Sequence, residues 1–193
     1  MNDWFKKKLY AHHCLSRRHF LKAGVLTGAA SLTPLSAWAG MLRDPAPQRA
    51  LVIYNAHTDE QLKAVYCENG EYIPEAITAI SRILRDHRSN EVYPMNPLLL
   101  DLLHGITSRI EARQPLHVIS GYRSPRTNAQ LAAHSRGVAK HSLHMQGMAV
   151  DIRMPGHSLA QLRKVAVALK SGGVGYYPAS DFVHVDVGRV RYW

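Results

Sequence analysis

The sequence predicts an α+β fold, with helices packed on one face of a small, mostly antiparallel sheet. Three observations predict it. Short runs rich in β-branched and aromatic residues recur along the chain without strict strand–helix–strand alternation. Between them lie stretches whose apolar residues fall at helical spacing, introduced by a capping residue or a proline. No internal repeat or low-complexity segment appears, so the chain from about residue 50 onward reads as one domain.

The elements follow in order. "ALVIYN" (50–55) and "KAVYC" (63–67) flank a polar turn and predict a hairpin. From Tyr72 the period changes: Ile73, Ala76, Ile77, Ile80, Ile83 and Leu84 share one helical stripe, with Pro74 and Glu75 suited to its first turn. In "NPLLLDLL", Asn96 can cap and Pro97 can take the first helical position. Leu99, Leu102, Leu103, Ile106 and Ile110 then continue a buried face. "PLHVIS" (115–120) predicts a strand ended by "GYRSP" (121–125), followed by a short helix around Thr127–Ala133. "GMAVDI" (147–152) is a further strand. A helix capped by Ser158 runs through Leu162, Val165, Ala166 and Leu169, with Gly172 suited to the position after its last turn. "GGVGYYP" (172–178) reads as a close-packed turn, and "FVHVDV" (182–187) as the last strand. The glycines of that turn lack the G-x-G-x-x-G pattern of a nucleotide loop.

The N-terminal segment reads as an export signal rather than as part of the fold. "SRRHFLK" (16–22) matches the twin-arginine pattern, an apolar stretch follows from Ala23 to about Leu35, and "AWAG" (37–40) offers a cleavage site before Gly40. The apolar stretch is shorter than the ~20 residues of a spanning helix, so no membrane span is expected once the signal is removed. Residues 1–39 thus form the signal, 40–49 a Pro-containing linker, and 50–193 the folded domain, delivered to a periplasm by the twin-arginine route. The net charge of +10 is concentrated at this end. Of 24 basic and 14 acidic residues, 18 and 13 lie beyond residue 39, a net of +5, and no basic run with interleaved aromatics remains to suggest a nucleic-acid partner. Cys14 falls in the signal, which leaves Cys67 as the sole thiol of the domain. Neither a disulfide nor a cysteine metal site is then available.

A metal site must therefore be built from histidine and carboxylate. Three such ligands leave a fourth position for water, whose pKa falls toward ~7 on a zinc ion. In "HMQGMAVD", His144 precedes Gly147, which permits a sharp turn, and Asp151 lies in the strand that follows. Small Ala149 shares the face of Asp151 because strand side chains alternate. A third ligand is expected from a neighbouring strand, and His184 in "FVHVDVG" suits it, with Val183 and Val185 turned into the core. Met145 and Met148 read as packing, and His134 and His157 acquire no role.

"SLHMQGMAVD" (142–151) resembles the S-x-H-x-x-G-x-A-x-D motif of the zinc D-Ala-D-Ala peptidase superfamily, with "GYRSP" upstream and "DFVHVDVG" downstream completing its three blocks. The fuller resemblance, through "ISGYRSPRTN", "SRGVAKHSLHMQGMAVD", "GGVGYYPASDFVHVD" and "GRVRYW", is to periplasmic murein endopeptidases of MepK type. It covers nearly the whole chain beyond the signal. It implies a zinc (Zn2+) enzyme that cuts the stem-peptide cross-links of peptidoglycan, at D-Ala–diaminopimelate and diaminopimelate–diaminopimelate bonds, in cell-wall remodelling. It implies His144, Asp151 and His184 as metal ligands, and Arg123 as the group that binds a substrate carboxylate or the developing oxyanion.

The superfamily's general base stands three positions before the last ligand, which falls on Asp181. Asp186, two residues past His184 on the same strand face, is the rival for that duty or a group supporting the ligand or the substrate. The related H-x-H pattern would place a second histidine at 182, where this chain has Phe182, leaving His141 as a candidate for a comparable role. Ser142 orders the turn or contacts substrate, and Tyr176 and Tyr177 are expected to line the cleft. Two alternatives stay open: the same machinery as a D,D-carboxypeptidase or L-Ala–D-Glu peptidase, and a peptidoglycan-binding module without turnover.

Overall fold

A computed structural model describes residues 48–134 and 137–193. The expected export signal, and nearly all of the linker, lie outside the described residues. Eight strands form one mixed sheet: β1 (Arg49–Asn55), β2 (Gln61–Glu68), β3 (Glu71–Tyr72), β4 (Leu116–Ser120), β5 (Ala149–Arg153), β6 (Gly173–Tyr177), β7 (Phe182–Asp186) and β8 (Arg191–Tyr192). Their order across the sheet is β3-β2-β1-β4-β5-β7-β6-β8. The pairs β1/β4 and β6/β8 are parallel and the remainder antiparallel. The α+β expectation holds, with a sheet larger than the sequence suggested. Among the described residues no helix is long and apolar enough to cross a membrane.

Among the described residues four helices accompany the sheet: α1 (Pro74–Ile83), α2 (Pro97–Arg109), α3 (Pro125–His134) and α4 (Leu159–Leu169). Local chemistry starts them as expected. The Asn96 side chain accepts from the Leu98 amide ahead of Pro97, and Ser158 forms a full capping box with Gln161. α1 packs on β2, α2 on β1, and α4 on β6 and β7. The buried stripe Ile77, Ile80, Ile83 of α1 and Leu99, Leu102, Leu103, Ile106 of α2 meet Leu51, Ile53, Leu116, Val118, Val150, Ile152, Val183 and Val185 of the sheet. The odd–even alternation of β5 and β7 thereby commits their valines and isoleucine to this core and turns Ala149, Asp151, His184 and Asp186 to the opposite face.

Four local expectations are corrected. "GVGYY" is not a turn but strand β6, and β7 is not the last strand because β8 pairs in parallel beyond it. The glycines that suggested a turn are there for space: a Cβ on Gly173 would collide with the Asp186 carboxylate, and one on Gly175 would come within 2.7 Å of the Trp193 ring. Lys170, not Gly172, takes the left-handed position that ends α4, with φ 51°. Gly172 instead lies against the backbone carbonyl of Asp186. Tyr72, placed at the helix start by its sequence context, belongs to β3 opposite Cys67.

One buried carboxylate ties the helical layer to the open face. Asp86, just beyond α1, is 1% exposed and accepts from the amides of Arg88 and Ser124, the latter at the entry to α3. Burial opposes its charge, but hydrogen bonds from Thr127 and from these amides outweigh burial and hold its carboxyl well below the usual carboxylate range. A folded-state pKa below the unfolded value gives stability that is present at neutral pH and lost as the group is protonated. Asp86→Ala is expected to lower unfolding stability by about 2–4 kcal/mol, measured by urea denaturation at pH 7. The difference between wild type and variant should shrink as pH falls below ~4.

Candidate metal centre

The centre begins with a strand register. Asp151 on β5 and His184 on β7 are direct cross-strand partners, so their side chains leave the same face side by side. His144 comes from the single turn of 3-10 helix Leu143–Gln146, which leads into β5. Ser142 caps that turn, accepting from the His144 amide at 3.4 Å, and Gly147 closes it with φ 64°. This left-handed residue packs on the Pro94 carbonyl, where a Cβ would clash.

His144 Nε2, Asp151 Oδ1 and His184 Nδ1 converge. The separations are 3.2 Å between the two nitrogens, 3.3 Å from His144 to the carboxylate oxygen and 2.9 Å from His184 to it. A tetrahedral zinc with bonds of about 2.0–2.1 Å has ligand atoms about 3.3 Å apart, so the donor set and spacing fit that ion. This is the one cluster of three or more His, Cys, Asp or Glu among the described residues that could hold a metal. Its members are nearly sealed from solvent, with His144 3% and Asp151 5% exposed.

The supporting hydrogen bonds say why the lone pairs point inward. His144 Nδ1 donates to the Gly121 carbonyl at 2.8 Å, which leaves Nε2 as an acceptor. His184 Nε2 donates to Asp186 Oδ2 at 3.1 Å, which leaves Nδ1 as an acceptor. Asp151 directs Oδ1 into the cluster while Oδ2 receives Arg123 Nη2 at 3.2 Å. Two imidazole lone pairs and a carboxylate oxygen thus face one another with no donor among them, an arrangement that a cation satisfies. Burial opposes a charge on His184, but hydrogen bonds to Asp151 and Asp186 outweigh it and raise its pKa. Burial likewise opposes the Asp151 charge, and the His144 and His184 rings overcome it and lower its pKa well below the usual range.

Asp186 is fully buried and wholly committed. Oδ1 accepts from the amides of Gly173 and Gly188 and from Arg191 Nη1; Oδ2 accepts from Arg191 Nη2 at 2.7 Å and from His184. Its geometry is that of a carboxylate orienting the His184 ring, in keeping with one of the readings left open from sequence, and leaves no oxygen free to take a proton. Asp181 stands at the surface in a left-handed turn with Arg153 Nη1 at 3.0 Å from Oδ2, outside the cleft lining. Tyr176 shares the core-side face of β6 with Val174 and lies under the Arg163 guanidinium, 5.4 Å from ring centroid, so it too is outside the lining. Tyr177 lines the cleft.

Around the cluster opens a cleft of about 420 Å³. Arg123, Ser142 and His141 line it as the sequence suggested, and His57, Arg88, Arg191 and Trp193 join them. The last four were missed: His57 and Arg88 lie far in sequence from the ligand blocks, and Arg191 and Trp193 follow the last block without a spacing that marks them for the cleft. Arg191 and Trp193 left a faint trace in "GRVRYW", where two arginines and two aromatics crowd into six residues. Among the described lining residues Asp151 is the single carboxylate, and its two oxygens are engaged.

Comparison with known proteins identifies the family. A family model described as "Peptidoglycan L,D-endopeptidase MepK" matches residues 43–193. The chain is 41% identical over 178 residues to the peptidoglycan L,D-endopeptidase MepK of Escherichia coli K12, covering 92% of this chain and 97% of that protein. It is 38% identical over 179 residues to a probable peptidoglycan L,D-endopeptidase MepK of Haemophilus influenzae, covering 92% and 95%.

Replacement of Asp186 by Ala is expected to weaken zinc binding by about ten- to a hundredfold, measured by competition with a chromogenic chelator. Asp181→Ala should bind zinc as the wild type does.

Proposed function

This chain belongs to the MepK family of peptidoglycan L,D-endopeptidases, and on that premise we propose that it is a zinc-dependent hydrolase of peptidoglycan cross-links. The observation that carries this reading is the convergence of His144 Nε2, Asp151 Oδ1 and His184 Nδ1 on one point at the floor of an open cleft. These three residues would hold the zinc. When bound, zinc supplies Lewis-acid activation of water and of the scissile carbonyl. The substrates are the stem-peptide bonds diaminopimelate–diaminopimelate and D-Ala–diaminopimelate, whose free carboxylates suit a cleft lined by Arg88, Arg123 and Arg191.

The chain's own side chains supply the remaining steps. Arg123 is anchored through Nη2 on Ser120 and Asp151, which aims its guanidinium along the ligand carboxylate. Its charge serves a substrate carboxylate or the oxyanion that develops at the scissile carbonyl. Ser142 spends its hydroxyl on ordering the turn that presents His144. The proton of the attacking water must pass to the leaving amine through a group within reach of both. Asp186 is enclosed and Asp181 faces Arg153, whereas His141 lines the cleft with no hydrogen bond or ion pair among the described residues. An imidazole carries both a proton donor and an acceptor, so His141 is the group we assign to this transfer.

We propose a periplasmic location, on the peptidoglycan substrate and on the twin-arginine signal read in residues 1–39. The runner-up activities, D,D-carboxypeptidase or L-Ala–D-Glu peptidase, use the same centre and differ in product mass.

Purified residues 40–193, incubated with cross-linked muropeptide dimers, should release monomers in a reaction abolished by a chelator and restored by zinc. Dimers left intact by the zinc-loaded protein would refute the reading. His141→Ala should lower kcat by about a hundredfold or more while leaving zinc affinity unchanged, read by steady-state kinetics beside metal competition.

A further inference from the structure

The order of strands gives the cleft a direction. His57 follows β1, and Ser120 and Arg123 stand at the end of β4; Asp151 and His184 occupy β5 and β7; Tyr177 ends β6 and Trp193 follows β8. Four steps across the sheet separate β4 from β8, and the ligand cluster lies between these flanks, in contact with Arg123 on one side and beside the Trp193 ring on the other. Arg88 and Arg123 lie on the β4 side without a free carboxylate among the described lining residues. On the β8 side the Arg191 charge is matched by Asp186, and what faces the cleft is aromatic: Tyr177 stacked on Phe182 at 4.6 Å, then Trp193.

We infer that Trp193 is a substrate-contacting residue, the surface on which the aliphatic part of the peptide beside the scissile bond packs. The inference rests on the cross-link hydrolysis proposed above. The indole is fixed from every side but one. Its Nε1 donates to the Tyr177 hydroxyl at 2.7 Å, its backbone pairs with Val174 and Tyr176, Arg191 stacks at 4.9 Å, and Gly175 leaves room for the ring to lie on β6. The ring centroid is 5.4 Å from that of His184. Even so, the residue stays 47% exposed, toward the cleft. A large apolar face already immobilised loses little entropy when it is covered, and its burial against methylene or methyl groups is favourable. Diaminopimelate offers a short methylene chain ending in charge, and D-alanine a methyl group. With the apolar segment on Trp193, a carboxylate is carried across the cluster toward Arg123 and Arg88. The flanks thus orient the amide over the ligands.

The test uses a property of the sequence. Trp4 and Trp38 precede residue 40, so Trp193 is the sole tryptophan of residues 40–193, and the buried core is drawn from within that span. Zinc-loaded protein titrated with the disaccharide tripeptide ending in diaminopimelate should show a saturable blue shift of tryptophan emission. Trp193→Ala should raise KM for muropeptide dimers about tenfold, and Trp193→Phe about threefold, with kcat within about twofold of wild type and zinc affinity unchanged. A ring of purely structural importance would lower kcat and stability together and leave KM in place, which would overturn the inference. So would an unshifted emission at tripeptide concentrations that inhibit cleavage. If Trp193→Ala does not fold, the emission titration and Trp193→Phe decide. Failure of the wild type to cleave any dimer would refute the cross-link reading instead; a saturable emission change would then still place peptide on Trp193, and its absence would overturn both.

Discussion

The antiparallel register that sets Asp151 opposite His184 is the constraint on which the centre depends. Directly opposed residues in such a pair have Cβ atoms about 4.5–5.5 Å apart and point to the same face, the right scale for two ligands of one ion. A slip of one residue in either strand would turn its polar side chain into the hydrocarbon core and bring a valine to the cleft. Val150, Ile152, Val183 and Val185, all fully buried, prevent it. The hydrophobic pattern of β5 and β7 thus positions the polar chemistry by excluding the alternative. His144 joins from outside the sheet, and its turn is pinned by the Ser142 cap and by Gly147 against Pro94.

Behind His144, Asp151 and His184 stands a shell of partners that decides which atoms face inward. Two short segments supply it. The GYRSP loop holds His144 through the Gly121 carbonyl and Asp151 through Arg123, and Asp86 fixes that loop in turn through the Ser124 amide. At the other flank, Asp186 and Arg191 hold His184. A buried carboxylate with five donors keeps its charge, and a charged Asp186 keeps the proton of His184 on Nε2. Burial opposes the Asp186 charge, yet the donors from His184, Arg191, Gly188 and Gly173 outweigh it. The alternating glycines of β6 belong to this same arrangement, since they leave the volume that Asp186, Arg191 and Trp193 fill.

Much of the fold was legible because it rests on local periodicity. The hairpin, the four helices, the Asn96 and Ser158 caps, and strands β4, β5 and β7 all follow from spacing and capping chemistry within a few residues. β6 was illegible for a physical reason. Glycine in a strand and glycine in a turn look alike until the neighbour that needs the space is known, and those neighbours lie 13 or more residues further along. The two-residue strands β3 and β8 carry too few side chains to show an alternation. Gly172 invited assignment as a helix cap, but Lys170 accepts the left-handed conformation two residues earlier, and the glycine is needed against Asp186.

For the centre, sequence alone determined which residue types were available and which three could serve as ligands: with one cysteine in the domain, histidine and carboxylate had to suffice, and motif order singled out residues 144, 151 and 184. What tertiary structure decided was the division of labour among the carboxylates and aromatics. Asp181 and Asp186 are five residues apart in one segment, yet one sits at the surface beside Arg153 and the other is sealed beneath His184. Tyr176 and Tyr177 are adjacent, yet face opposite sides of the sheet. Proximity along the chain carries no information about burial or hydrogen-bond partners, and those are what turn a carboxylate into a base, an orienting group or a surface charge.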